Sequence, residues 1–304
     1  SSEAMVRLGA FQNDQGDTEG ARTWWQRAAD NGQAEAMYNL ALLLNEQGDT
    51  EGARTWWQRA ADNGQADAMA SLGTLLNGQG DTEGARTWWQ RAADNGSSEA
   101  MHNLGVLLNE QGDTEGARTW WQRAADNGQA EAMVGLGVLL NGQGDTEGAR
   151  TWYTRAADNG SSEAMHNLGA LLNDQGDTEG ASTWWQRAAD NGQAEAMVGL
   201  GVLLNGQGDT EGARTWYTRA ADDGQAEAMY NLALLLNEQG DTEGASTWWQ
   251  RAADNGQADA MASLGTLLHG QGDTEGARTW WQRAADAGDT DAAVALSTLN
   301  GAEM

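Results

Sequence analysis

Histidines, carboxylates and tryptophans are the side chains with chemistry to offer here: 3 His, 45 Asp plus Glu and 16 Trp in 304 residues, with no Cys. A structural zinc site needs four N or S donors converging on one point. No thiol exists to supply them, and no His–carboxylate set stands at ligand spacing. His102 and His166 occupy the same position of an internal repeat, and His269 is remote from both. No metal and no cofactor are therefore expected, and the histidines read as structural or groove residues. Glu110, Asp113 and Glu115 cluster, but they lack the spaced Asp/Asn series of a calcium loop, and helix capping explains Asp113 better. The recurring GDTEG turn has glycines but neither a lysine nor a preceding strand, so it is not a phosphate loop. Asn95-Gly96-Ser97 and Asn159-Gly160-Ser161 spell a glycosylation sequon that helix junctions also produce by chance. A nucleophile with its acid or base at a unique position is missing. Near-copies of one surface are a poor place for a single active site, so the reading is non-enzymatic.

The tryptophans come in pairs within GDTEGARTWWQRAADNG (16–32) and its later copies. An aromatic side chain removes about 150–250 Å² from water when buried, so a pair per repeat can supply much of a core otherwise rich in Ala. The second member, Trp25 or Trp121 for example, lies mid-arc on its helix and is expected in the core; it becomes Tyr at Tyr153 and Tyr217. The first member sits on the margin: Trp24, Trp56, Trp88, Trp120, Trp152, Trp184, Trp216, Trp248 and Trp280. It too is expected chiefly as packing. If half-exposed, these nine form an aromatic row suited to stacking a sugar or another copy of the chain.

What must position these residues is a strict repeat. GDTEG begins at Gly16 and returns every 32 residues, ending with Gly272. In the unit 97–128, Ala100, Met101, Leu104, Leu107 and Leu108 recur at helical spacing. Ser97 or Ser98 caps the start and Gly112 the end. Asp113 then opens a second helix with Glu115 in its first turn, and Ala117, Trp120, Trp121, Ala124 and Ala125 make its apolar stripe. Gly116, beside Trp120, is expected to leave room for a neighbouring backbone or ring. Each helix runs about 13 residues, roughly 20 Å, and neither stands alone in water. Nineteen helices are expected in one array over 1–304: a capping repeat at 1–32, near-identical repeats at 33–288 and a capping helix at 289–304. Polar departures at Arg7, Gln12 and Asn300 mark the two ends. Residues 129–158 reappear unchanged at 193–222, and 33–79 returns at 225–271 with two substitutions, a pattern of gene-level block duplication.

The order Leu104-Gly105, Leu108, Gly112-Asp113, Ala117, Trp121, Ala124 resembles the tetratricopeptide repeat. The junction AADNGQAEAM (124–133), preceded by the Trp pair, resembles the Sel-one-like repeat, with that family's hairpin loop cut to QGD and the usual proline absent. The resemblance covers essentially the whole chain. It implies an all-α, right-handed α-solenoid of antiparallel helix pairs, about nine and a half repeats long, that serves as a protein-interaction scaffold with its first helices lining the concave side. Tetratricopeptide domains that grip a C-terminal carboxylate use Lys and Arg there; this chain has no Lys and almost no Arg at those positions, which disfavours that activity.

Comparison between repeats locates the variable surface. It falls on the back of the first helices, at Tyr38, His102, Val134, His166, Val198 and Tyr230, and one turn on at Leu42, Val106, Val138, Val202 and Leu234. An asparagine ladder (Asn45, Asn109, Asn173) and an acidic edge accompany them. This face is under-polar for plain surface. It reads as a groove for a basic and apolar peptide or protein, or as packing between first helices on a tightly curved wall. A formal charge of −28, every base being Arg, disfavours nucleic acid and anionic membranes. No apolar run reaches membrane-span length. The alternatives kept are self-association into a homo-oligomer, fibre or surface layer, and carbohydrate binding along the tryptophan row. The compartment is unreadable, since Ser1 leaves room for a removed leader.

Overall fold

The computed structural model describes residues 1–302, with side chains described through Leu299. The expectations for Asn300 and for residues 303–304 lie outside what is described. Among the described residues there are 19 α-helices of 13 residues each and no strand. They fall into two compact units, one of residues 1–159 and one that begins at residue 160.

In the first unit the helices are α1 (Ser2–Asp14), α2 (Thr18–Asp30), α3 (Ala34–Glu46), α4 (Thr50–Asp62), α5 (Ala66–Gly78), α6 (Thr82–Asp94), α7 (Ser98–Glu110), α8 (Thr114–Asp126), α9 (Ala130–Gly142) and α10 (Thr146–Asp158). In the second they are α11 (Ser162–Asp174), α12 (Thr178–Asp190), α13 (Ala194–Gly206), α14 (Thr210–Asp222), α15 (Ala226–Glu238), α16 (Thr242–Asp254), α17 (Ala258–Gly270), α18 (Thr274–Asp286) and α19 (Thr290–Ala302). Within each unit every odd-numbered helix packs antiparallel on the even one after it, and that one on the next odd helix. The result is the stacked helix-pair solenoid expected.

Three residues suffice to turn the chain because one of them serves both helices. The Asp113 N–H donates to the Leu108 carbonyl at 2.8 Å, closing α7, while its carboxylate accepts from the Gly116 N–H at 2.9 Å, opening α8. Between them Gly112 stands at φ +82, where a Cβ is penalised. The same aspartate cap opens every even helix. Gly116 is explained by this cap: a Cβ there meets the Asp113 carboxylate. Room for the cap, not for a neighbouring ring, is what the glycine supplies. Odd helices are capped unevenly. Ser97 and Ser161 accept from the N–H three residues on, whereas Gln129 and its counterparts offer no side-chain cap.

The core is layered. Leu40, Leu72, Leu104, Leu136, Leu168, Leu200 and Leu232 are almost wholly buried, and Ala117, Ala124 and Ala125 are at 0%, so even helices approach their neighbours closely. On α1 the counterpart Leu8 is 43% exposed and Phe11 63%, beside Arg7 and its exposed ion pair with Glu3.

Candidate functional site

Each first tryptophan of a pair is half-buried, from Trp24 to Trp280. Three residues on, an arginine lays its guanidinium over the ring, with 4.2 Å from Arg59 to Trp56 and 5.4 Å from Arg27 to Trp24 as the extremes. All nine pairs are present. The i, i+3 spacing puts both side chains on one helix face, and the arginine stem covers part of the indole. The row is thus neither open aromatic surface nor core.

The second aromatic of each pair is buried throughout, at 3–6% exposed. In five of them the indole N–H reaches back to the preceding odd helix: Trp25 donates to the Val6 carbonyl, Trp89 to Ala70, Trp121 to His102, Trp185 to His166 and Trp281 to Ala262, at 3.1–3.2 Å. These rings also do something the sequence did not disclose. They floor a series of clefts between consecutive odd helices.

The clefts repeat one register. Between α1 and α3 the floor is Trp25, with Asn13 on one wall and Leu42 and Leu43 on the other, enclosing about 210 Å³. Between α3 and α5 the floor is Trp57, with Asn45 facing Thr74 and Leu75, and the space grows to about 530 Å³. Between α5 and α7 it is Trp89, with Asn77 facing Val106 and Leu107, and about 170 Å³. Between α11 and α13 it is Trp185, with Asn173 facing Val202 and Leu203, and about 340 Å³. Carboxylates border all four: Asp14 and Glu46, Glu99, Glu110, and Glu195 with Glu227. No arginine lines any of them.

Half of the residues expected on this face line the clefts. Leu42, Asn45, Val106, His166, Asn173, Val198 and Val202 line clefts. Val138 and Val202 are each 53% exposed, and Asn109 is exposed. Tyr38, His102, Tyr230 and Leu234 are half-buried. Val134 and Val198 differ from the expectation of open contact surface, being only 4% and 7% exposed. They stand nearer their helix start, on the side where α9 meets α7 and α13 meets α11, so at these helices Val138 and Val202 meet solvent instead.

Burial holds the imidazoles of His102 and His166 below their usual range, opposed by Glu131 and Glu195 on the next odd helix. Both rings are uncharged at neutral pH, and the Nδ1 atom of each is buried without a hydrogen-bond partner. Burial likewise pushes the Tyr38 phenol up, against the hydrogen bond it shares with Ser71. The face therefore carries its charge as carboxylates alone. Among the described residues no three His, Asp or Glu side chains gather as a metal site, and no helix is long and apolar enough to cross a membrane.

No curated protein sequence matches this chain. Its structure is similar to that of a Sel1 repeat protein from Oxalobacter formigenes, at 26% identity and TM-score 0.71, over 98% of this chain and 93% of that one. It is also similar to a protective antigen present in uropathogenic Escherichia coli strains and displaying an SLR fold, at 26% identity and TM-score 0.69, over 98% of this chain and 72% of that one. The tetratricopeptide repeat pattern matches at residues 12–68, 71–131, 110–164, 166–226 and 230–292. Repeats of this kind commonly act as protein-interaction scaffolds and are generally non-catalytic. With its helix pairs matched along nearly the whole sequence, the chain belongs to the tetratricopeptide repeat family, in the Sel1-like form of that solenoid.

Proposed function

We propose that this protein is a non-enzymatic scaffold that holds an extended, basic and apolar segment of a protein partner along the clefts between its odd helices. The observation that carries this is the repeated cleft itself. An indole floor and aliphatic wall accept apolar side chains, the asparagine amides bond a passing backbone, and an all-carboxylate rim attracts cations. The arginines keep away from it: apart from Arg7, all lie on even helices. The test is fluorescence anisotropy with a labelled 16-residue peptide of Arg, Leu and Gly, against the same peptide with Asp for Arg. Binding of the first alone, weakened by salt and by Leu42→Arg, Val106→Arg and Val202→Arg, is expected. Equal binding of both peptides, or indifference to the three substitutions, contradicts the reading.

A second reading, lateral self-association through the even helices, is favoured by the regular Trp–Arg pairs. Arginines stacked on indoles would meet carboxylates of another copy. Sedimentation over a range of concentration and salt decides it, a constant monomer ruling it out. The carbohydrate reading is weakened by the same pairs, because the guanidinium occupies a ring face that a sugar needs.

A further inference from the structure

The clefts are not equal, and their inequality follows a rule written in the odd helices. From α3 onward these helices alternate between two kinds. One kind carries a ring, then asparagine, and ends on an acid: Tyr38-Asn39 with Glu46, His102-Asn103 with Glu110. The other carries Ala or Val, then Ser or Gly, and ends on glycine: Ala70-Ser71 with Gly78, Val198-Gly199 with Gly206. The same alternation continues through α15 and α17 (Tyr230-Asn231, then Ala262-Ser263).

Cleft size tracks the kind of helix that forms the second wall. Where that wall is of the small kind, α5 or α13, the cleft measures about 530 or 340 Å³. Both lie in the range of ligand-holding pockets, roughly 300–1,000 Å³. Where the wall is of the large kind, α3 or α7, it measures about 210 or 170 Å³ and falls short. Two residues make the difference: Ser71 and Gly199 line the deep clefts at the position where Asn39 and Asn103 line the shallow ones. Gly199 lies so near the floor that a Cβ would approach Trp185 Cε2 to 3.0 Å. Gly78 likewise borders the α3–α5 cleft where Glu46 and Glu110 border the shallow ones.

Resting on the scaffold reading above, we infer that the deep clefts are sockets for one bulky apolar side chain of the partner, that the shallow clefts pass only its backbone and cations, and that Ser71 and Gly199 set this selectivity. The recognition unit is then two repeats, not one. The α7–α9 pair, with His102, Gly135 and Val138, is composed like α11–α13 with His166, Gly199 and Val202, so within the first unit sockets follow one another two odd helices apart. Helices pack roughly 10 Å apart, which separates such sockets by about 20 Å. An extended chain advances about 3.3 Å per residue, so the partner offers an apolar anchor about every sixth residue, with Arg or Lys between to meet the carboxylates that border the shallow clefts, such as Glu110 between α5 and α7.

The experiment uses the full chain and two labelled 16-residue Arg/Gly peptides, one with two leucines six residues apart and one with none. The native chain should bind the leucine peptide at least about tenfold more tightly, the gain expected from desolvating even one of its two leucines. Ser71→Asn combined with Gly135→Asn and Gly199→Asn should abolish that preference, so that the two peptides bind alike. Asn103→Ser, which opens a shallow cleft, should add affinity for the leucine peptide. Should the triple variant fail to fold, Ser71→Asn alone, at a half-buried site that keeps a hydrogen-bonding group beside Tyr38, carries the same comparison. A filled variant that retains the full leucine preference overturns the socket assignment and leaves the scaffold reading standing. Binding of neither peptide by the native chain overturns both.

Discussion

The indole N–H of Trp121 lies 3.2 Å from the carbonyl oxygen of His102 on the preceding helix. Gly105, one turn further along that helix, makes the approach possible, since a Cβ there would fall against the pyrrole edge of the ring. In two repeats the position is Ala41 or Ala233 instead. In those two, Trp57 and Trp249 keep buried indole N–H groups with no partner. A methyl group and a hydrogen bond compete for one gap, and the sequence chooses between them repeat by repeat.

Trp121→Phe and Trp57→Phe remove the same atoms from equivalent sites, but only the first removes a hydrogen bond. The first is expected to lower stability more, by about 1 kcal/mol, read as the difference between the two urea midpoints. Equal losses would mean that the bond to His102 contributes nothing net.

Helix caps supply a second comparison. Asp113→Ala leaves the Gly116 N–H without its carboxylate and should cost about 1 kcal/mol, within a range of roughly 0.5–2. Gln129→Ser transplants the cap that Ser97 already provides and should raise the melting temperature. A fall after that substitution would show that Gln129 has a role the cap cannot replace.

Burial, with Glu227 nearby, pushes the Tyr217 phenol up to about 12 from its ordinary value of 10.0. The folded chain therefore holds this proton more tightly than the unfolded chain does. The associated stability, on the order of 2–3 kcal/mol at 1.36 per unit, is complete below pH 10 or so and drains away as pH rises toward 12. In Tyr217→Trp, the residue found at most equivalent sites, that alkaline loss should shrink. An unchanged alkaline unfolding curve would place the sensitivity elsewhere.

The Trp–Arg pairs call for a spectroscopic test. Arg123→Ala uncovers the Trp120 ring, so acrylamide quenching should increase and stability fall by about 0.5–1 kcal/mol, the usual magnitude for exposed pairs of this kind. Quenching that stays constant would mean that the guanidinium shields nothing.

The sequence made the helices and their ends readable because those are local. Apolar spacing from Ala100 to Leu108, the Asp113 cap and the left-handed Gly112 each depend on neighbours a few residues away. The need for glycine at Gly116 is not legible in spacing, because the returning Asp113 carboxylate that requires it is a side-chain conformation. Trp121 was correctly expected in the core. The second role of Trp25, as a cleft floor, depends on how α1 and α3 stand against each other, which no single-helix periodicity encodes. The variable columns of His102 and Val106 include residues that line clefts, His166 and Val106 among them. The companion changes at Asn103 and Glu110 had to be seen with cavity volumes before they read as an alternation.

That alternation also limits how such a chain can change length. Inserting or deleting 64 residues only repeats helix neighbours that already occur, and the unchanged copies at 129–158 and 193–222 are offset by that step. A change of 32 would set two odd helices of the same kind side by side, a junction absent from α3 to α17. Lineages of this protein would therefore be expected to differ by even numbers of repeats, as a ladder with two rung types can be cut and rejoined only at like rungs.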